Sequence, residues 1–214
     1  MTGYAQYHYL KPDGTFDYDA YVKSQSAANV RKLRHQWARP RTIGKVSRYL
    51  RSRIPSPTFG LCHGTRRGVE QSYFKDRFPG CVVLGTEISP TATQFPDTIQ
   101  WDYHEIKTEW IGAADFVYSN SLDHAYDPQL AVSRWMQSLK TPGFCFIEWW
   151  QPPFPKSVEV DCFSATVEGC MELLTGWGKI ADYSIVDTLT HIRSPRREDV
   201  VGRDGVVFVL AKDK

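Results

Sequence analysis

Residues 60–71, GLCHGTRRGVEQ, decide how the chain is read. Gly64 and Gly68 stand where an apolar run, Thr58 to Cys62, ends and a helical pattern, Val69 to Phe78, begins. At a strand-to-helix turn of a doubly wound sheet, glycine admits a left-handed backbone and lets N–H groups at a helix N-terminus approach a ligand. An ordinary connecting turn uses glycine for the same geometric reason, so the pair alone leaves both readings open.

The following residues narrow the choice. Cys81 to Glu87 (CVVLGTE) reads as a strand closed by Ser89-Pro90. Its terminal acid lies 19 residues after Gly68, near the spacing at which an acid after a second strand accepts hydrogen bonds from ribose hydroxyls. Ile99 to Asp102, Ala114 to Ser119 and Gly143 to Trp149 read as further strands and Pro128 to Leu139 as a helix. Apolar strands alternating with helices predict an α/β fold with a parallel sheet. The tail departs from this pattern. Ile180 to Thr188 and Val206 to Ala211 are strand-like and are joined by HIRSPRREDVVGRDG without an amphipathic helix, which suits an antiparallel pair.

Ahead of the glycine turn, residues 17 to 54 read as two helices. Tyr18, Tyr21, Val22 and Gln25, then Val30, Leu33 and Trp37, recur at helical spacing; Ile43, Val46, Tyr49 and Leu50 continue after a break at Arg39-Pro40. Ile54-Pro55-Ser56-Pro57 stops the second helix, because a residue before proline is pushed out of the helical region. The chain therefore divides into an N-terminal helical arm, 1–57, and an α/β domain, 58–214. From Ala20 to Val69 there is no acidic residue, yet 12 of the 26 Lys and Arg fall there, leaving 14 against 24 acids elsewhere. The basic run is either a solvated helix face or the contact for an anionic partner. Nucleic acid competes as that partner, although no base-reading module is recognisable.

A chain of 214 residues, 42% hydrophobic, is long enough to bury a full core. No apolar run approaches the roughly 20 residues that cross a bilayer, and the start MTGYAQYHYLKPDG lacks the basic end and apolar stretch of a signal peptide. The expectation is a soluble, cytoplasmic protein. The 5 cysteines form no CxxC pair, and Cys62, Cys81 and Cys145 lie in or beside strand-like runs. Buried reduced thiols are expected, and no metal site.

From the glycine turn onward the chain resembles the class I S-adenosylmethionine-dependent methyltransferases. The residues that carry the resemblance are GLCHGTRRG as the glycine loop, VVLGTE as the second strand with its acid, IQWDYHE as the third strand with Asp102, and ADFVYSNSLDHAYDP as the fourth strand and its loop. The resemblance implies a Rossmann-like methyltransferase fold. Its sheet has seven mostly parallel strands with the last inserted antiparallel, which the tail fits and an NAD-binding domain does not predict.

It also implies S-adenosyl-L-methionine as cofactor. His63, Gly64, Thr65, Arg66 and Gly68 then line the methionine end, Glu87 holds the ribose diol and Ile88 packs on the adenine. Asp102 and Tyr103 approach the adenine amine, while Ser119 and Asn120 face the methyl-donor centre. Two departures stand out. Cys62 or His63 occupies the place of an acid that commonly meets the methionine ammonium, and Arg66 occupies the place of a third glycine.

Methyl transfer is an in-line displacement, and holding the reactants together supplies much of the acceleration. A base is needed only where the acceptor loses a proton. Asp123 and His124, in the loop after the fourth strand, are the candidates, with capping or packing of the next helix as their structural alternative. The Asn/Asp-Pro-Pro-aromatic motif of adenine and glutamine N-methyltransferases is absent. Trp149, Trp150 and Gln151, with Pro152, Pro153 and Phe154 behind them, form a candidate acceptor wall, and core packing accounts equally for the tryptophans.

The basic arm reads as a lid that selects an anionic acceptor. The specific expectation is O-methylation of a sugar, free or nucleotide-linked. A non-catalytic scaffold of the same fold and a nucleic-acid methyltransferase stand as alternatives.

Overall fold

Seven strands form one sheet in the order β4-β3-β2-β5-β6-β9-β8, with β2 Phe59–His63, β3 Val82–Glu87, β4 Thr98–Gln100, β5 Ala114–Ser119, β6 Leu139–Trp150, β8 Tyr183–Arg193 and β9 Asp204–Lys212. The computed structural model describes residues 3–150, 155–193 and 204–212, with the backbone alone at 191–193 and 204. β2, β3, β4, β5 and β6 pair in parallel. β9 lies antiparallel to both β6 and β8, so the last strand is inserted against the direction of its neighbours. The chain thus has the class I methyltransferase fold. A second, two-stranded sheet pairs β1, Tyr4–Gln6, with β7, Phe163–Ala165.

Helices cover both faces. α2 (Pro40–Arg51) and α3 (Val69–Arg77) pack on one side, where Ile43, Val46 and Leu50 meet Phe74, Phe116, Phe146 and Val209. α4 (Pro128–Ser138) and α5 (Val167–Ala181) pack on the other through Val132, Trp135, Cys170 and Leu174. Alternation along β6 sends Trp149 to the second core and Trp150 to the first. The five cysteines are buried free thiols, and among the described residues no helix is long and apolar enough to cross a membrane.

Five elements differ from the sequence expectation. The first helix, α1, spans Tyr18–Arg31 and does not run on to Trp37. Its buried positions are Tyr21, Ser24, Gln25, Ala28 and Asn29, whereas Val30 is 56% exposed. The inward stripe follows helical spacing in small and polar residues, so the apolar count placed it one face away.

Helix α5 was not expected, and the strand placed at Ile180 begins at Tyr183 instead. Gly169, Gly176 and Gly178 depress its helical propensity, but two of them are needed for packing. A Cβ at Gly169 would strike the Gly3 carbonyl and one at Gly178 the Tyr183 carbonyl. The short pairing of β1 with β7 joins segments too far apart in sequence for local pattern to reveal.

Candidate active site

The glycine turn leaves β2 under tight backbone control. Gly64 and Thr65 donate their N–H groups to the Thr86 carbonyl at 2.9 and 3.0 Å, continuing the strand pairing into the loop. Gly64 has φ +70°, and a Cβ there would lie 2.6 Å from Ser121. Ser121 in turn donates its hydroxyl to the Gly64 carbonyl at 3.0 Å. Glycine is therefore required by both backbone and close approach. Arg66 adopts φ +51°, the conformation that explains why a glycine is expected at this position; a side chain there costs roughly 1–2 kcal/mol.

A cleft with about 520 Å³ of empty space, counting its solvent-open mouth, lies at the carboxyl ends of the strands. Gly64, Arg66, Glu87, Ile88, Asp102, Tyr103 and His124 line it, and α1 crosses it with Tyr21, Gln25 and Asn29, followed by Lys32 at the helix end. Glu87 is 7% exposed and accepts N–H groups from Ser89 at 3.0 Å and Arg66 at 3.2 Å, one on each carboxylate oxygen. Burial pushes its carboxyl above the usual range, against the Ser89 and Arg66 contacts. Each oxygen keeps a further lone pair. Arg66 donates Nη1 to the His35 carbonyl at 3.1 Å, while its Nε is buried without a partner.

Asp102 is already engaged. One oxygen accepts from the His104 backbone N–H (2.9 Å) and ring Nδ1 (2.7 Å), the other from the Tyr18 hydroxyl (3.0 Å). Burial raises its carboxyl, but the His104 and Tyr18 donors outweigh this and hold it below the ordinary range. His104 stacks on Tyr126 at 3.7 Å and is completely buried. Tyr18 and Tyr21 pack against the same Tyr126 ring. The start of α1 is thus anchored to the Asp102 side of the cleft.

His124 sits on a short 3-10 turn after β5, Leu122–His124. Its Nδ1 lies 2.8 Å from the Val160 carbonyl. A carbonyl only accepts, so Nδ1 carries the proton and the neutral ring keeps a lone pair on Nε2. Asp123 Oδ1 is 3.9 Å from Nε2, and Asp161 Oδ1 is 3.7 Å from Nδ1. Ligand atoms of Asp123, His124 and Asp161 lie within 4.8 Å of one another, a grouping that could hold a metal ion. Lys32 Nζ, 3.9 Å from Asp161, already supplies a cation there.

The other expected residues lie outside the lining. His63 is buried, stacks on Trp135 at 5.3 Å and bonds Thr86 Oγ1 through Nδ1 at 2.9 Å. Burial, then His104, drives its pKa down to about 3, so the ring stays neutral. Thr65 and Ser119 are buried in the loop base, and Ser119 donates to the His63 carbonyl at 3.2 Å. Asn120 accepts the Ser121 hydroxyl at 3.2 Å.

Gly68 caps α3 facing Thr98 rather than the cleft. Trp149 donates its indole N–H to the Ala165 carbonyl at 3.1 Å within the core, and Trp150 packs on the opposite face. Gln151, with Pro152, Pro153 and Phe154, lies outside the described residues. Ser121, the α1 residues Tyr21, Gln25 and Asn29, and Lys32 just beyond the helix line the cleft without having been singled out. The recurrence of Tyr21, Gln25 and Asn29 at i, i+4 and i+8 is the one signal that could have found this face of the helix.

No protein-family model matches the sequence, and no curated protein matches it. Solved structures do match in three dimensions. One is the 1,6-didemethyltoxoflavin-N1-methyltransferase of Burkholderia thailandensis with 1,6-didemethyltoxoflavin and S-adenosylhomocysteine bound, at 17% identity over 98% of this chain and 100% of that one, TM-score 0.67. Another is the sugar N-methyltransferase KedS8 from Streptoalloteichus sp., at 16% identity over 88% and 92% of the two chains, TM-score 0.60. A third is the [4+2]-cyclase SpnF, at 9% identity over 98% of each chain, TM-score 0.63. Likeness at such low identity establishes the fold, which in the last case carries a different chemistry.

Proposed function

We propose that the chain is an S-adenosylmethionine-dependent methyltransferase acting on a small polar acceptor. The observation that carries the reading is the pairing of Glu87 and Arg66 across one cleft. A buried carboxylate with lone pairs to spare and an arginine whose Nε has no partner line the same cleft, where they would meet the ribose and the methionine end of the cofactor. Arg66 and Gly64 would hold the methionine end, Glu87 the ribose diol, and Ile88 with Tyr103 the adenine. The arginine then replaces, at the carboxylate, part of what the missing acid contributes at the ammonium. The cofactor supplies a sulfonium-bound methyl group open to in-line displacement.

The chain's own residues do the rest. α1 closes over the cleft and excludes water, held by Tyr18 and by the Tyr21 hydroxyl, which donates to the His124 carbonyl at 3.2 Å. His124 Nε2 accepts the acceptor's proton, and Asp123 and Asp161 stabilise the resulting imidazolium. A polar wall of Gln25, Asn29 and Lys32 favours a hydroxylated or anionic acceptor, of which a sugar or nucleotide-sugar hydroxyl is the specific reading. A non-catalytic protein of the same fold is the second reading, favoured by the engagement of both Asp102 oxygens by His104 and Tyr18.

Calorimetric titration with S-adenosylmethionine and S-adenosylhomocysteine, with NAD as control, tests the cofactor. Saturable binding lost in Glu87→Ala is expected, followed by turnover in a screen of sugars and nucleotide-sugars. No heat at millimolar ligand, or unchanged affinity in the variant, overturns the assignment.

A further inference from the structure

The basic run does not act as one unit. Lys32 reaches the cleft through α1, but the cations of α2 turn away from it and line a separate groove of about 830 Å³, again counting its open mouth, between α2 and the end of α3. Arg41, Lys45, Arg48 and Arg51 come from α2 and Arg77 from α3. The apolar face of the same helix, Ile43, Val46 and Leu50, is sealed in the core, so the cations are presented on a rigid support.

We infer that this groove binds the phosphodiester backbone of a nucleic acid, without reading its sequence. Three observations carry the inference. First, like charges converge: a Cβ on Gly44 would lie 3.7 Å from an Arg77 Nη and 3.9 Å from an Arg48 Nη, so two guanidiniums meet over the one position that has no side chain. Among the described residues no carboxylate pairs with Arg41, Arg48, Arg51 or Arg77. Such crowding is relieved by an anion.

Second, the guanidiniums are held in place. Arg77 donates to the Tyr73 carbonyl at 2.7 Å and the Pro40 carbonyl at 3.0 Å, which leaves three of its five N–H donors for a ligand. Arg51 donates to the Arg77 carbonyl and lies 5.1 Å from the Phe78 ring centroid. Third, the remaining lining is Pro40, Gly44 and Ser47. A protein partner would call for an apolar centre, which the groove lacks, whereas nucleic-acid interfaces are polar and strongly positive. From Arg41 to Arg51 the helix rises roughly 15 Å, room for several successive phosphates. No aromatic platform lines the groove, so contact is to the backbone.

The test is fluorescence anisotropy of the full chain with a labelled, mixed-sequence RNA strand of about 20 nucleotides across a salt series. Three to five phosphate contacts predict a slope of log K against log salt of roughly −2 to −3.5, and the double variant Arg41→Glu/Arg48→Glu should weaken binding and flatten the slope by about 1.4. Both side chains are exposed, so the variant should keep its melting temperature, which serves as the fold control. Absence of binding, a slope unaltered by the charge reversals, or displacement of the RNA by polyglutamate at equal residue concentration overturns the inference. The outcome is independent of cofactor binding, because the groove and the cleft share no lining residue.

Discussion

Replacing Arg66 with glycine separates what that position costs the fold from what it contributes to the cleft. Glycine relieves the left-handed strain at φ +51°, a gain of roughly 1–2 kcal/mol. Against this stand the hydrogen bond to the His35 carbonyl and the greater freedom of glycine in the unfolded chain, each about 0.5–1 kcal/mol. Net stability should therefore stay within about 1 kcal/mol of the parent, a melting shift of about 2–4 °C at most. The backbone N–H that reaches Glu87 survives the substitution, leaving the ribose contact untouched.

Loss of a charge-assisted contact to the methionine carboxylate, about 1.5–3 kcal/mol, should weaken S-adenosylhomocysteine roughly ten- to a hundred-fold. Calorimetry with S-adenosylhomocysteine and 5′-methylthioadenosine, which lacks the amino-acid end, reads this directly. Only the first ligand should suffer. Equal weakening of both, or no change in either, would refute the argument that Arg66 is held in a strained conformation to meet the carboxylate.

Glu70 and Glu148 are buried with one oxygen each unpartnered, and burial raises them to about 8 and about 7. A carboxyl raised on folding binds more protons in the native state, so its stabilisation is full below the unfolded value near 4.5 and is lost as pH rises through 7 and 8. Unfolding free energies from urea titrations should accordingly fall between pH 5.5 and 8, by up to about 1.4 kcal/mol per pH unit per group, and a Glu70→Gln/Glu148→Gln variant should flatten the dependence. Gly64→Ala combines a positive φ with a 2.6 Å approach to Ser121 and should cost about 2–4 kcal/mol, read by chemical denaturation; a change under 1 kcal/mol would mean the loop yields readily. His124→Ala should lower kcat by roughly a hundred-fold or more on an acceptor that must lose a proton, while cofactor affinity moves by less than a few-fold. Undiminished turnover would remove the base from the mechanism.

The strand–helix alternation from Thr58 to Trp149 was legible because continuous apolar strands and amphipathic helices are local patterns, and the observed strands differ from that reading by only a few residues at their ends. Glu87 was legible for a related reason: in a βαβ unit the chain length between glycine turn and strand end is nearly constant. The antiparallel tail followed from a connection with no helix to cross the sheet. α5 was obscured because packing against Gly3 and Tyr183 demands glycines that local propensity counts against a helix.

By itself, then, the sequence determined the class of fold, the direction of the last strand and the acid beside the glycine turn, all of which depend on periodicity and spacing within a few tens of residues. Only tertiary structure decided which side chains meet. It stacked His63 on Trp135 and bound Asp102 to Tyr18 and His104. It also laid a polar stripe of α1 across the cleft and divided one basic run between the cleft and a groove on the far side of α2. All but the local Asp102–His104 bond join residues distant in sequence, and their partners are set by how helices dock on the finished sheet, a property no short window of residues contains.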